Sequence, residues 1–111
     1  MSTLTIKRGD TWAQRFEWVD NGTPVDLTGC TANMQLRINT ESEVVLDLSS
    51  TTGGLTIDEA NGYIYLRVEA AQTSQLFPIT YVADIQVTFP DGTVQSTSNF
   101  SLVVTPDVTR E

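Results

Sequence analysis

Residues 31–38 read Thr31-Ala32-Asn33-Met34-Gln35-Leu36-Arg37-Ile38, with an apolar residue at every even position and a polar one at every odd position. A period of two is the mark of a β-strand with one face in a core and the other in water. A helix would need its apolar residues three and four apart. The alternation recurs on both sides of this stretch. Upstream, Leu4 and Ile6 mark a strand over Leu4 to Lys7. Trp12, Phe16 and Trp18 share one face of a strand over Trp12 to Val19, with Gln14 a polar blemish on that face. Downstream, strands are expected over Val44 to Leu48, Leu55 to Ile57, Tyr63 to Glu69 and Thr80 to Phe89. In the third of these Ile64, Leu66 and Val68 turn inward, and in the last Tyr81, Ala83, Ile85, Val87 and Phe89 do. A final long strand over Thr93 to Thr105 aligns Phe100, Leu102 and Val104 and stops at Pro106.

Turn chemistry separates these runs. Asp20-Asn21-Gly22, Thr52-Gly53-Gly54, Glu59-Ala60-Asn61-Gly62 and Phe89-Pro90-Asp91-Gly92 are hairpin or reversal signals, because Gly and Asn tolerate left-handed backbone and Pro fixes φ. Pro24 lacks a ladder donor, so Val25 to Leu27 is expected to be an edge strand at best. Glu69 to Leu76 breaks the pattern with good helix formers and stops before Phe77-Pro78, which predicts one or two helical turns crossing between sheets. About eight or nine short strands with turns every ten residues or so predict an all-β fold, a two-sheet antiparallel immunoglobulin-like sandwich with one short helical crossover near residues 69–76. A closed barrel is the competing architecture. The expected organisation is one β-sandwich domain over residues 1–105 followed by a polar tail over 106–111.

Composition narrows the functions. The chain has 111 residues, 40% of them hydrophobic, enough for one packed core. Fourteen acidic residues against six basic ones give a net charge of −8, which repels a phosphate backbone, so no nucleic-acid partner is expected. With one cysteine and no histidine, neither an intrachain disulfide nor a structural zinc site can form, and Cys30 has no histidine base to make it a nucleophile. It is read as a buried small hydrophobe. The opening Met1 to Arg8 lacks the apolar run of a signal peptide, and no segment approaches a membrane span of about 20 apolar residues. A soluble protein without membrane partner, cofactor or small-molecule substrate is expected, made in the cytoplasm.

Local motifs have plain readings. Arg8-Gly9-Asp10 matches an integrin tripeptide but reads as turn chemistry at a strand end. Asn21-Gly22-Thr23 and Asn99-Phe100-Ser101 match a glycosylation pattern that has no use without secretion. Turn carboxylates around Asp20 and at Asp58-Glu59 lack the spacing of a helix-loop-helix calcium site. Asp84, among apolar neighbours, is expected to pair with Arg37 or Arg67 across a sheet. No phosphate-cradling loop or nucleophile elbow is present, and the chain is not expected to be an enzyme.

Four patches taken in order resemble a known module: Ile6-Lys7-Arg8-Gly9-Asp10-Thr11; Gly22-Thr23-Pro24-Val25-Asp26-Leu27-Thr28-Gly29 leading into Met34-Gln35-Leu36-Arg37; Tyr81-Val82-Ala83-Asp84-Ile85-Gln86-Val87 with Pro90-Asp91-Gly92-Thr93-Val94; and Val104-Thr105-Pro106-Asp107-Val108-Thr109-Arg110. Together they are similar to the small β-sandwich module of tailed-bacteriophage virion proteins, like the N-terminal domain of siphophage upper baseplate proteins. The resemblance implies a non-catalytic virion structural or adaptor protein of the tail or baseplate. Its partners would be other phage structural proteins, its assembly homo-oligomeric, and its location the virion. A capsid decoration protein of the same fold is the alternative within the virion. The implied docking residues are Pro24, Val25, Asp26 and Leu27 on the expected edge, and Val104, Asp107, Val108 and Arg110 in the ending. Outside that class, a carbohydrate-binding sandwich would stack sugars on Tyr63 and Tyr65, which fall on the polar face of their strand. A nucleic-acid mimic would need its acids on one face, and an enzyme two buried carboxylates in one cleft.

Overall fold

A computed structural model of the chain describes residues 3–97 and 99–108. Its elements are β1 (Thr3–Lys7), β2 (Trp12–Glu17), β3 (Val19–Asp20), β4 (Thr23–Pro24), β5 (Thr31–Arg37), β6 (Val44–Ser49), β7 (Leu55–Asp58), β8 (Tyr63–Val68), α1 (Ala70–Thr73), β9 (Thr80–Thr88), β10 (Val94–Ser96) and β11 (Phe100–Thr105). The larger sheet runs β1-β11-β9-β5-β6, with β10 beside the far half of β9; the smaller runs β2-β8-β7; β3 and β4 form a separate two-stranded ribbon. The fold is the expected all-β sandwich. Among the described residues the ladders between named strands are antiparallel except that of β1, which lies parallel to β11 with Ile6 opposite Val104.

The core lies between the two sheets. From the larger sheet come Ala32, Met34, Leu36, Leu48, Tyr81, Ile85, Val87, Leu102 and Val104, and from the smaller Trp12, Leu55, Ile64, Leu66 and Val68. Phe16 meets Phe100 across the interface with ring centroids 5.8 Å apart. The polar blemish at Gln14 has a use, since its side-chain oxygen accepts the Trp12 indole N–H at 3.1 Å. Helix α1 is a single turn, with the Gln72 side chain accepting the Glu69 backbone N–H. The buried Thr73 hydroxyl ties it to the Asp10 carbonyl at 2.7 Å.

Four expectations need correction. The strand over Trp12 to Val19 stops at Glu17: the Trp18 N–H still meets the Gly62 carbonyl in the β2–β8 register, but the Trp18 carbonyl takes the Val25 N–H, which begins the β3–β4 pairing. Val25 to Leu27 is not an edge strand; the pairing ends at Pro24, and Leu27 is 0% exposed in the core. The strand over Thr93 to Thr105 is two strands, because the four steps from Ser96 to Phe100 oppose only three from Gln86 to Ala83, a one-residue bulge. Ile38 lies beyond the end of β5 and is exposed, next to a second bulge where Val44 and Leu46 oppose Arg37 and Leu36.

Candidate functional site

The sandwich has two chemically different ends. One, the turn end, gathers the last residues of β2 and β7, the β3–β4 ribbon and the reversals before β5 and after β9. The Leu27 N–H donates to the Glu59 carbonyl, the Gly29 N–H to a Glu59 carboxylate oxygen at 2.7 Å, and Gly29 lies against the Pro90 ring. Glu17, Asp20, Asp26, Asp58, Glu59 and Asp91 all fall here. Hydrogen bonds from the Thr28 hydroxyl and backbone hold the Asp26 carboxyl below its ordinary pKa, and those from the Thr93 backbone and side chain do the same for Asp91. Burial raises the pKa of the Cys30 thiol, and the nearby charges of Asp26, Glu59 and Asp91 raise it further.

Beside Cys30 opens a cleft of about 320 Å³ between the sheets. Leu55 and Ile57 of β7, with Cys30, form its apolar part, and Thr31, Thr51 and Glu59 stand around it. Strand β7 presents a free edge here. The Arg67 N–H donates to the Gly54 carbonyl, so the antiparallel alternation turns Thr56 toward β8 and leaves the peptide groups of Leu55 and Ile57 facing outward.

The other end, the helix end, carries α1, the Lys7–Asp10 turn and the loop from Leu76 to Ile79. Arg8 Nε donates to the Ser74 carbonyl and its backbone N–H to Thr105. Phe77 is 70% exposed and Ile79 also faces solvent. Sequence reasoning missed both, reading Phe77-Pro78 only as a helix stop. The available signal was two apolar side chains flanking a proline between a helix and a strand.

The expected docking residues do not form one surface. Pro24 is exposed in the ribbon, Val25 is half-buried, and Asp26 is exposed in a turn closed by Thr28. Leu27 and Val104 are core residues, turned away from any partner. Asp107 is half-buried near Gly9, Val108 is exposed, and Arg110 lies outside the described residues. Asp84 meets Gln35 across the sheet instead of an arginine. Arg37 instead donates to Gln35 and to the Ser42 carbonyl, and Arg67 pairs with Glu69. Tyr63 and Tyr65 are side by side on the outer face of the small sheet, but edge to face at 76°. The Arg15 guanidinium lies 4.4 Å from the centre of the Tyr63 ring. The pair is therefore not a flat platform of two open rings. Among the described residues no group of three or more Cys, Asp and Glu side chains is placed to hold a metal ion, and no helix is long and apolar enough to cross a membrane.

No protein-family model matches the sequence, and none of the curated proteins does. Solved structures do resemble the fold. The N-terminal domain of phage TP901-1 ORF48 superposes with a TM-score of 0.64 at 18% identity, over 94% of this chain and 85% of that one. CopC from Methylosinus trichosporium OB3b superposes with a TM-score of 0.54 at 13% identity, over 100% of this chain and 91% of that one. Two such different proteins share the fold, so it does not by itself select a function.

Proposed function

We propose that this chain is a structural or adaptor component of a tailed-phage virion, in the tail or baseplate, acting through protein–protein contacts in a symmetric assembly and without catalysis. The observation that carries the reading is the agreement of two independent lines. The four sequence patches resemble the phage upper-baseplate module in order, and the fold matches a phage N-terminal domain over 94% of the chain. The surface suits the role. It offers free strand edges and an apolar loop held at one end, the features through which β-sandwiches are joined to neighbours. Mass spectrometry of purified particles tests the proposal. The protein should be present at a stoichiometry set by the tail's rotational symmetry, and immunogold labelling should mark the tail tip. Particles that lack the protein, or label on the capsid, would overturn the tail assignment.

A further inference from the structure

The loop at the helix end is built to hold an aromatic ring in water. Leu76 before it is buried, and the Phe77 carbonyl accepts both the Ile79 N–H at 2.9 Å, closing a three-residue turn around Pro78, and the Tyr81 hydroxyl at 3.0 Å. The Ile79 carbonyl in turn takes the Val104 N–H. Both ends of the loop are pinned to the core, so its backbone has little freedom left to lose on docking, which favours a strong interface anchor. Arg8 flanks it, bonded to Ser74 and near enough to act on the Tyr81 hydroxyl, and Lys7 stands exposed beside Arg8. Asp10 and Asp107 share this end, so it is mixed in charge where the turn end is acidic.

The complementary half is on the same chain. The cleft at the turn end has a floor of Cys30, Ile57 and the almost fully buried Leu55 set among Thr31, Ser50 and Thr51, a volume of about 320 Å³, and Glu59 at its rim, with Asp26 and Asp91 close to Cys30. The loop precedes Thr80 at the start of β9, whereas the cleft lies at Thr31, which pairs with Thr88 at the far end of the same strand, so one copy cannot satisfy both. We propose that the Phe77–Ile79 loop of one copy docks in the Cys30–Leu55–Ile57 cleft of a second copy, with Lys7 and Arg8 facing the carboxylates around it. Such a contact is head to tail, and repetition closes into a ring or grows as a filament. The inference deepens the assembly reading by naming a second copy as partner.

Sedimentation equilibrium of the full chain up to about 1 mM tests it. The parent should self-associate. Phe77→Ser, at an exposed position, should weaken association at least about thirtyfold, as should either Glu59→Lys or Thr51→Trp, the second placing a large ring on the rim of the cleft from an exposed site. An equimolar mixture of Phe77→Ser and a cleft variant should give a dimer and nothing larger, since only one contact is intact in such a pair. A parent that stays monomeric overturns the proposal, as does association that Phe77→Ser leaves intact. A mixture that stays monomeric overturns it too, because an intact loop on one copy and an intact cleft on the other would then fail to restore the contact; a cleft variant that associates as well as the parent overturns it as well, since Phe77 would then meet something other than the cleft. None of these outcomes bears on whether the protein is found in particles, so the two readings fail separately.

Discussion

Asn21-Gly22 and Asn61-Gly62 are the same dipeptide in two hairpin turns, and the structure predicts that they tolerate alanine very differently. Both glycines are left-handed, with φ of +80° and +68°. Alanine at either position meets the left-handed penalty of about 1–2 kcal/mol, offset by about 0.4–1 kcal/mol through the unfolded chain. At Gly22 nothing lies within 4 Å of an added Cβ, so Gly22→Ala should cost about 1 kcal/mol in all. At Gly62 the added carbon would stand 2.8 Å from the Val25 carbonyl oxygen and 2.9 Å from that of Trp18. Neither atom can swing aside as a side chain would. The Trp18 carbonyl accepts the Val25 N–H, and the Trp18 N–H donates to Gly62 itself at 2.7 Å. Moving either strand loosens at least one of these bonds, at about 1–3 kcal/mol for a peptide group left unpaired. Gly62→Ala should therefore cost about 2–3 kcal/mol more than Gly22→Ala. Urea unfolding followed by tryptophan fluorescence measures the difference, provided that the two variants keep the parent m-value. Two variants within about 0.5 kcal/mol of each other would refute the packing argument, because the backbone term is common to both.

Leu27→Ala should lose about 2–5 kcal/mol by chemical denaturation, the cost of emptying a core position, whereas a true edge residue would lose far less. Lowering the pH should weaken the fold through Asp26 and Asp91. Their folded pKa values lie below the ordinary 3.8, so the stabilisation is complete above that value and is lost as pH falls through the folded ones. Asp26→Asn with Asp91→Asn should flatten the acid limb of a melting-temperature profile, and an unchanged limb would show that other carboxylates set it. Native Cys30 should react with iodoacetamide more slowly at pH 8 than a free thiol, since burial and three carboxylates hold it protonated. Neutralising Glu59 should speed the reaction, and no change would mean that burial alone protects it.

The sequence made the sheets legible wherever alternation met a two-faced environment. Ala32, Met34 and Leu36 turn inward and Asn33 and Thr31 outward as their parity requires. Parity fails where the chain leaves the ladder. Leu27 is as deeply buried as any strand residue, yet it sits in a loop, because a single apolar side chain can be swallowed by a turn without strand pairing. The bulge between Ser96 and Phe100 carries the even-numbered side chains from the outer face of β10, where Val94 is exposed, to the core in β11, and such a shift of register leaves no mark on the sequence alternation itself. Tertiary choices such as the parallel β1–β11 ladder leave no trace in a local pattern. The docking residues were the least legible. Val104 looks like part of an ending and is core, while Phe77 looks like a helix stop and is the most exposed aromatic ring described.

That parallel ladder sets the timing of folding. Thr3 to Lys7 pair with Ser101 to Thr105, so β1 leaves the ribosome long before β11 and waits for it before it can join the sheet. Closing so long a loop is entropically costly and contributes nothing until both strands are present, which places the step late and makes β1 the first strand to detach in native-state hydrogen exchange. Until then the edge of β11 stands bare. A nascent chain that meets another copy is thus open to that copy's β1, and strand exchange between copies is the hazard that this topology carries.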